Sequence, residues 1–339
     1  MVKLALIGVG KMGLSHCAIL SAHPEVEVVA ICDNATYITS ELKKLLKVKI
    51  YKDFNKLFNE CELDAVVIST PNSTHFEIAN SALDKGFHVF LEKPLCLDPN
   101  QSAQLSDLAK EKGLVNQVGY HNRFIGTFQE MRRLVNAGAI GELHHLEGTA
   151  YGQVVIRKKS GKTWRSKKTE GGGCLHDYAC HVIDLMSYIY HPPSAVTYSR
   201  LQSIFSNDIE DAVYAAFDYE SGATGYLEAN WSDQSYRKMS TTITAYGTAG
   251  KIIADRQEIK VYLTPGNEFE SYTSGWTIKY ITELQNPVNY YLRGEEYSAQ
   301  LDHFIESILG KSVSVESTFA TAAETDSIIN SISKAGVIN

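Results

Sequence analysis

Closely spaced cysteines are absent from this 339-residue chain. No Cys-x-x-Cys pair occurs, which excludes a zinc ribbon and a dense disulfide framework. We therefore expect reduced, mostly buried thiols. The six cysteines are Cys17, Cys32, Cys61, Cys96, Cys174 and Cys180.

Long apolar runs and an excess of positive charge are also absent. No stretch of about 18 uncharged residues occurs, so we expect no membrane span. The net charge of -7 argues against general nucleic-acid binding, which needs a clustered basic surface. The chain enters a predicted strand at once, without the features of a signal peptide, and this favours the cytoplasm.

A glycine-rich turn follows the first predicted strand. Residues 3–7, KLALI, form a short apolar run, and GVGKMG leads from it into the amphipathic stretch LSHCAILSAH. This order predicts a dinucleotide-binding turn, in which Gly10 lets backbone amides approach a pyrophosphate at a helix N-terminus. A plain glycine turn is the alternative. The cofactor contacts expected here are Gly8, Gly10, Lys11, Met12 and Gly13.

Asp33 follows the second predicted strand, VEVVAIC, and lies 20 residues beyond Gly13. An acceptor for the ribose hydroxyls of the adenosine is expected at this point. Its carboxylate would repel a 2′-phosphate, and the following NATYIT contains no arginine or lysine. NAD is therefore favoured over NADP, unless a basic residue folds in from elsewhere.

Strands and helices continue to alternate up to residue 119, as in a parallel sheet covered by helices. Ligands of such sheets lie beyond the carboxyl ends of the strands. Two of these ends carry polar segments, TPNSTH at 70–75 and EKP at 92–94. The further cofactor contacts that we expect are Thr70, Pro71, Asn72, His75, Glu92, Lys93 and Pro94.

The segment GGGCLHDYACHVIDL, at 171–185, predicts a helix that carries one apolar and one polar stripe. The glycines would allow close approach of a ligand where the polar stripe begins, although such a stripe otherwise faces water. His176 points about 100° from Asp177 and no third ligand is nearby, so we expect no metal site. The apolar stripe comprises Leu175, Ala179, Val182, Met186 and Ile189, and the polar stripe comprises Asp177, His181, Asp184 and Tyr188.

Four motifs in this order resemble the Gfo/Idh/MocA family, the relatives of glucose-fructose oxidoreductase and inositol dehydrogenase. They are GVGKMG with Asp33, TPNSTH, EKP, and GGG-x-x-x-Asp-x-x-x-His followed by Asp184. The resemblance implies an NAD-binding Rossmann domain, a doubly wound parallel sheet, at 1–120. At 121–339 it implies an α+β domain for substrate binding and oligomerisation, with a large, open, mainly antiparallel sheet. Many relatives are dimers or tetramers built through that sheet, so we expect a homodimer or homotetramer.

The resemblance also implies an active-site lysine at Lys93, an acid at Asp177 and a catalytic histidine at His181. Oxidation of a secondary alcohol needs a base for the hydroxyl proton and a positive group for the developing alkoxide. Histidine suits the first role near neutral pH, and lysine suits the second. Asp177, one predicted turn before His181, would orient the ring or stabilise its protonated form. Pro94 raises the possibility of a cis peptide after Lys93.

One departure from the family pattern leaves the substrate open. Relatives often read Phe-Asn-Arg-Arg-Phe where this chain has YHNRF at 120–124, so His121 and Asn122 stand at altered positions. A basic segment, IRKKSGKTWRSKK at 156–168, is either a solvated loop or a contact for an anionic substrate such as a sugar nucleotide. The expected substrate contacts are Lys93, His121, Asn122, Arg123, Trp164, Arg165, His176, Asp177 and His181.

Three functions fit these residues. The leading hypothesis is an NAD-dependent dehydrogenase that acts on a secondary alcohol of a sugar, cyclitol or sugar derivative. A glycosidase that oxidises its substrate transiently with tightly held NAD is a second, and a non-enzymatic dinucleotide sensor is a third. The presence of both Lys93 and His181 disfavours the sensor.

Overall fold

The computed structural model describes residues 1–154, 165, 167–312 and 314–338. These residues form two compact units, each built from two separate stretches of the chain. The first unit comprises Met1–His121 and Pro287–Ala323, and the second comprises Asn122–Asn286 and Glu324–Asn339.

The first unit contains a parallel sheet of six strands among its described residues, in the order β3-β2-β1-β4-β5-β6. Every pairing in it is parallel. Because β1 lies between β2 and β4, the direction of winding reverses there, and a crevice for a ligand opens at the carboxyl ends of these strands. The strands are β1 (Val2–Ile7), β2 (Val26–Cys32), β3 (Lys49–Tyr51), β4 (Ala65–Ile68), β5 (His88–Leu91) and β6 (Asn116–Val118).

Helices follow the strands of this sheet, as the alternation of the sequence predicts. They are α1 (Lys11–Ala22), α2 (Thr36–Leu46), α3 (Phe54–Glu60), α4 (His75–Asp84) and α5 (Pro99–Glu111). Strands of this kind are buried on both faces, which is why they read as continuous apolar runs. Leu4, Leu6 and Ile31 accordingly lie in one core cluster with Phe90.

A late helix, α9 (Glu295–Ile308), completes the core of the first unit. Leu301, Phe304 and Ile305 belong to the same cluster as the strand residues, and the ring of Phe304 lies 5.8 Å from that of Phe90. The chain therefore does not divide at a single point near residue 120, since residues 287–323 pack with the first unit. The sequence did not indicate this packing, because residues 122–286 separate residues 287–323 from residues 1–121 along the chain.

The second unit contains one sheet of nine strands among the described residues, in the order β14-β13-β12-β11-β7-β10-β9-β8-β15. The pairs β7–β10 and β8–β15 are parallel and the other pairs are antiparallel, so the predicted mainly antiparallel sheet is confirmed. The strands are β7 (Leu143–Tyr151), β8 (Ala195–Gln202), β9 (Ala212–Asp218), β10 (Thr224–Asn230), β11 (Ser240–Gly247), β12 (Gly250–Ala254), β13 (Glu258–Leu263), β14 (Gly275–Tyr280) and β15 (Val337–Ile338).

A helix lies directly on this sheet because the strand beneath it contains a glycine. A Cβ added to Gly148 of β7 would lie 2.7 Å from the sulfur of Met186 and would also collide with Val182. Both belong to the predicted apolar stripe, whose five members are at most 2% exposed. The helices of this unit are α6 (Gly126–Asn136), α7 (Cys180–Ile189), α8 (Ile281–Leu284) and part of α10 (Phe319–Ala335). No helix in the described part of the chain is long and apolar enough to cross a membrane.

Candidate functional site

The glycine turn between β1 and α1 has three glycines. At two of them a side chain would collide with the protein, and at the third there is free space. A Cβ at Gly8, whose φ is +89°, would lie 2.7 Å from the carbonyl oxygen of Ser69. A Cβ at Gly13 would lie 2.9 Å from the carbonyl carbon of Gly8. At Gly10 an added Cβ would meet nothing within 4 Å. Gly10 also precedes the first turn of α1, whose amide groups lack acceptors within the helix, so this turn fits a dinucleotide pyrophosphate.

Asp33 lies beside this turn, held by two backbone amides. One carboxylate oxygen accepts from the amide of Val9 at 2.7 Å, and the other accepts from that of Ala35 at 2.7 Å. A carboxylate oxygen can accept a second hydrogen bond, so Asp33 keeps capacity for ribose hydroxyls. This arrangement fits the adenosine end of the cofactor.

Glu92, which directly follows β5, is surrounded by basic side chains of the first unit. Its Oε1 lies 2.6 Å from Nε2 of the fully buried His16, and its side chain is 15% exposed. Burial alone would raise the pKa of Glu92, but the bond to His16 and the charges of His16, Lys93 and His121 outweigh it, and the pKa is lowered. Glu92 is therefore a carboxylate at neutral pH, next in sequence to the candidate lysine.

His75 joins the two polar loops that follow β4 and β5. Its Nδ1 lies 2.9 Å from the carbonyl oxygen of Pro94 and its Nε2 lies 3.1 Å from that of Thr70. The ring is fully buried, and this burial lowers its pKa. A neutral ring can donate to either carbonyl, so His75 supports the loops themselves. The peptide bond between Lys93 and Pro94 is cis, the possibility that the sequence raised.

His121, Asn122 and Arg123, around the end of the first stretch, differ in burial and in partners. His121, in the first unit, stacks on Tyr297 with ring centres 4.6 Å apart. In the second unit, Asn122 and Arg123 are 3% and 4% exposed. Nε and Nη2 of Arg123 donate to the two oxygens of Asp184 at 2.9 and 2.6 Å. This bidentate ion pair occupies the Arg123 guanidinium within the protein, and nothing in the local sequence indicated the pairing.

The predicted catalytic helix starts with a π-helical turn, Leu175–Ala179, and continues as α7. The sequence predicted a regular helix, and the first turn differs from that prediction. π-Helical turns are frequent at functional sites. Asp177 and His181 are 6% and 5% exposed, and Asp184 and Tyr188 are also buried. The alternative that the polar stripe merely faces water is therefore wrong.

An ion pair connects the basic segment to Asp177. Nε of Arg165 donates to Oδ2 of Asp177 at 2.8 Å, and the side chains are 41% and 7% exposed. The guanidinium offsets the negative charge of this buried carboxylate. The other basic residues of the segment include Lys167, which pairs with Glu170 at 2.9 Å. Trp164, with Arg157, Lys158, Lys159 and Lys162, lies outside the described residues.

Two of the glycines before the helix, Gly172 and Gly173, lie where a side chain would collide with the protein itself. A Cβ at Gly172 would lie 2.8 Å from the carbonyl carbon of Arg165. A Cβ at Gly173 would lie 2.6 Å from Cδ of Glu210, a buried carboxylate that the sequence had not indicated. His16 was missed as well, although it lies on the buried face of α1 with Gly13 and could have been found there.

Chemistry with a metal ion was the alternative for the segment around Asp177. Within residues 1–154, 165, 167–312 and 314–338, no group of three or more His, Cys, Asp or Glu side chains is arranged to hold a metal ion. All six cysteines are buried thiols, as predicted.

Comparison with known proteins agrees with the fold and the turn. Residues 2–120 match "Oxidoreductase family, NAD-binding Rossmann fold", and residues 128–253 match "GFO/IDH/MocA C-terminal domain". A scyllo-inositol 2-dehydrogenase (NAD(+)) of Bacillus subtilis is 25% identical over 319 residues, which cover 91% of this chain and 86% of that protein. A D-glucoside 3-dehydrogenase of Escherichia coli is 25% identical over 251 residues, or 68% of this chain and 70% of that protein.

A solved structure shares the whole fold. The levoglucosan dehydrogenase in complex with NADH and levoglucosan has a TM-score of 0.86 at 24% identity, covering 98% of this chain and 96% of that one. The predicted resemblance, the two-part fold, the dehydrogenase class and the cofactor NAD are thus confirmed. The chain belongs to the Gfo/Idh/MocA family of NAD-dependent oxidoreductases, among the relatives of sugar and cyclitol dehydrogenases.

Proposed function

We propose that this protein transfers a hydride between a secondary alcohol of a sugar, cyclitol or sugar derivative and NAD. The observation that carries the proposal is the burial of Asp177 and His181 on one helix of a chain that also has a dinucleotide turn. When bound, the nicotinamide supplies the hydride acceptor. The relatives that act on glucosides and inositol support the choice of substrate class.

The roles of three residues follow from what alcohol oxidation requires. His181 takes the proton of the substrate hydroxyl as general base. Lys93 stabilises the negative charge that develops on the substrate during oxidation. Asp177, paired with Arg165, stabilises the protonated form of the His181 ring.

Spectrophotometry of NADH formation with a panel of inositols, free sugars, glycosides and sugar nucleotides tests this function. On an active substrate, His181→Ala and Lys93→Ala should each lower kcat by about 100-fold or more. His144→Ala and Lys85→Ala, which alter exposed residues, are the matched controls and should stay near the wild-type rate. NADH binding without turnover of any member of the panel would overturn the proposal, and a near-normal rate in His181→Ala would reject that residue as the base.

An anionic substrate is a finer proposal that rests on Arg165. This residue is partly exposed and already lies against Asp177, so a carboxylate or phosphate of the substrate would meet a cation there. We expect kcat/KM for a uronate or sugar nucleotide to fall with rising salt, and to fall about tenfold in Arg165→Ala. Arg237→Ala is the control at an exposed arginine. Equal, salt-insensitive rates on charged and neutral sugars would contradict this proposal.

A homodimer or homotetramer through the second sheet is a further proposal. Trp276 and Ile278 of β14 are 54% and 45% exposed, and they pair with Tyr262 and Lys260 across β13 on the same sheet. Exposed apolar groups of this kind mark subunit contacts. Light scattering after size exclusion should give a dimer or tetramer, and Ile278→Glu should shift it towards monomer while Tyr37→Glu, in the first unit, does not. A monomeric wild-type protein would exclude this assembly.

We place the enzyme in the cytoplasm, because six buried thiols suit a reducing compartment. Fractionation of cells that express the tagged chain should recover it with cytoplasmic markers. Recovery in an oxidising compartment would contradict the assignment.

A further inference from the structure

We propose that Glu210 is a positioning residue that fixes the first turn of the helix carrying Asp177 and His181. This inference rests on the catalytic roles proposed above for those two residues. Glu210 itself touches no reacting group in the proposal. It acts through the backbone of the helix.

Two backbone amides at the start of the helix donate to Glu210. The amide of Leu175 donates to its carboxylate Oε1 at 2.9 Å, and the amide of Cys174 donates to its carbonyl oxygen at 3.0 Å. Amides at this end of a helix have no acceptor within the helix, so they need partners from elsewhere. One residue from a distant part of the unit's sequence supplies both.

The contact between Glu210 and the start of the helix also requires a glycine at position 173. The φ of Gly173 is +112°, and an added Cβ would lie 2.6 Å from Cδ and 2.7 Å from Oε2 of Glu210. Its carbonyl oxygen accepts from the amide of Asp177 at 3.2 Å, so Gly173 is also part of the first hydrogen-bonded turn. The glycine and the glutamate therefore fit each other at the point where the helix begins.

Glu210 is in turn anchored through Asp211, the next residue along the chain, which is fully buried. Oδ2 of Asp211 accepts from the amides of Ile204, Phe205 and Ser206 at 2.6 to 2.9 Å. Its Oδ1 accepts from Nε1 of Trp231 at 3.0 Å. These bonds fix the segment that leads into β9. Because Glu210 belongs to this segment, its side chain is held in place against the start of the helix.

The contact matters because both candidate catalytic residues of the helix come shortly after it. Asp177 lies two residues beyond Leu175 inside the π-helical turn, and His181 lies in the next turn. Burial of Glu210 raises its pKa, opposed by the amide of Leu175 and the charge of Lys168. The carboxyl group of Glu210 can accept from the amide of Leu175 in either protonation state. The helix therefore needs an acceptor oxygen at this position and does not need its charge. A misplacement of about 1 Å in a catalytic group can cost about 100-fold in rate.

Two substitutions at position 210 separate geometry from charge. Glu210→Ala removes the side-chain acceptor, whereas Glu210→Gln keeps an oxygen that can accept from Leu175. Asp98→Ala is the matched control, since Asp98 caps α5 of the first unit by accepting from the amide of Asn100 at 2.9 Å, and α5 carries no candidate catalytic residue. Each variant is compared with wild type for kcat, KM, NADH affinity and hydrogen exchange of the peptide covering 174–189.

We expect Glu210→Ala to lower kcat by about 10- to 100-fold with NADH affinity unchanged, and to speed amide exchange in 174–189. Glu210→Gln should restore both to near wild type, and Asp98→Ala should lower the melting temperature without a comparable loss of kcat. Unchanged exchange in Glu210→Ala, or a kcat loss in Glu210→Gln as large as in Glu210→Ala, would overturn the proposal. If the wild-type chain oxidises no alcohol, the proposed function fails, but the exchange measurement still decides whether Glu210 fixes the helix.

Discussion

A largely buried glutamate lies near candidate catalytic residues in each unit, Glu92 beside Lys93 in the first and Glu210 at the start of the helix of Asp177 in the second, and their surroundings are opposite. Glu92 lies among the basic side chains of His16, Lys93 and His121, which lower its pKa against the effect of burial. Glu210 faces the amide of Leu175 and the acidic Asp211, and burial raises its pKa. The same residue type is thus kept charged in one unit and made costly to charge in the other.

The difference separates two uses of a carboxyl group. A glutamate held among cations contributes its charge, because an amide of the same shape would leave those cations uncompensated. A glutamate that accepts from backbone amides contributes an acceptor at a fixed position, which an amide oxygen can replace. The comparison therefore predicts that Glu→Gln is severe at position 92 and mild at position 210.

Among the changes that test this comparison, Glu92→Gln should have the largest effect. It should lower kcat/KM by about 10- to 100-fold at neutral pH, because the charge beside Lys93 is lost while the shape is kept. Steady-state kinetics on an active substrate, beside Glu210→Gln, provide the measurement. Similar rates in the two variants would break the comparison.

Gly173→Ala should be the next most harmful, by about 1–3 kcal/mol in the free energy of unfolding. Both its φ of +112° and the carboxylate of Glu210 oppose a side chain there. In the double variant with Glu210→Ala, the collision between the new Cβ and the carboxylate is removed. Of the cost of Gly173→Ala, only the backbone strain then remains. Chemical denaturation of both single variants and the double variant measures this, and strict additivity would show that the two residues do not interact.

Asp33→Asn tests whether the role of a carboxylate depends on the unit in which it lies or on the groups that it contacts. Asp33 belongs to the first unit but accepts from backbone amides, as Glu210 does. We expect about tenfold weaker NADH binding, because an asparagine keeps only one oxygen for the two amides and the ribose hydroxyls. Titration of protein fluorescence with NADH measures it, with Asp98→Ala as control. An unchanged dissociation constant would remove Asp33 from the ribose site.

The smallest effect concerns how stability changes with pH. The lowered pKa of Glu92 means that its stabilising contribution is present above the ordinary glutamate pKa and is lost as the pH falls through the folded-state value. The raised pKa of Glu210 gives the reverse, a contribution present at acid pH and lost as the pH rises through its folded-state value.

Melting temperatures between pH 4 and 8 should show this difference as opposite trends. Relative to wild type, Glu92→Gln should become less stable as the pH rises, and Glu210→Gln should become more stable, each by a few degrees. Parallel curves for the two variants would contradict the assigned directions.

Features set by neighbouring residues could be predicted from the sequence. The glycine turn, Asp33 at the end of β2 and the apolar stripe of α7 each depend on a short, regular pattern. Burial of Val182 and Met186 follows directly from their spacing. The parallel pairing of the first sheet follows from the alternation of strands and helices.

Features set by contacts between distant residues could not be predicted. His16 and Glu92 are 76 residues apart, and Leu175 and Glu210 are 35 residues apart. Each pair consists of common residue types without a characteristic spacing. The π-helical turn was missed because the spacing of the apolar residues predicts a regular helix at this point. Gly172 and Gly173 were interpreted as room for a ligand because the glycine motif does not show that Arg165 and Glu210 lie beside them.

The inclusion of α9 in the first unit has a consequence for synthesis on the ribosome. Residues 1–121 are translated first, but their core also contains Leu301, Phe304 and Ile305. Until these side chains emerge, the apolar surface around Phe90 that they cover stays exposed to solvent. The nucleotide-binding unit thus reaches its native packing only after residues 301–305 have been made, well after the six strands of its sheet.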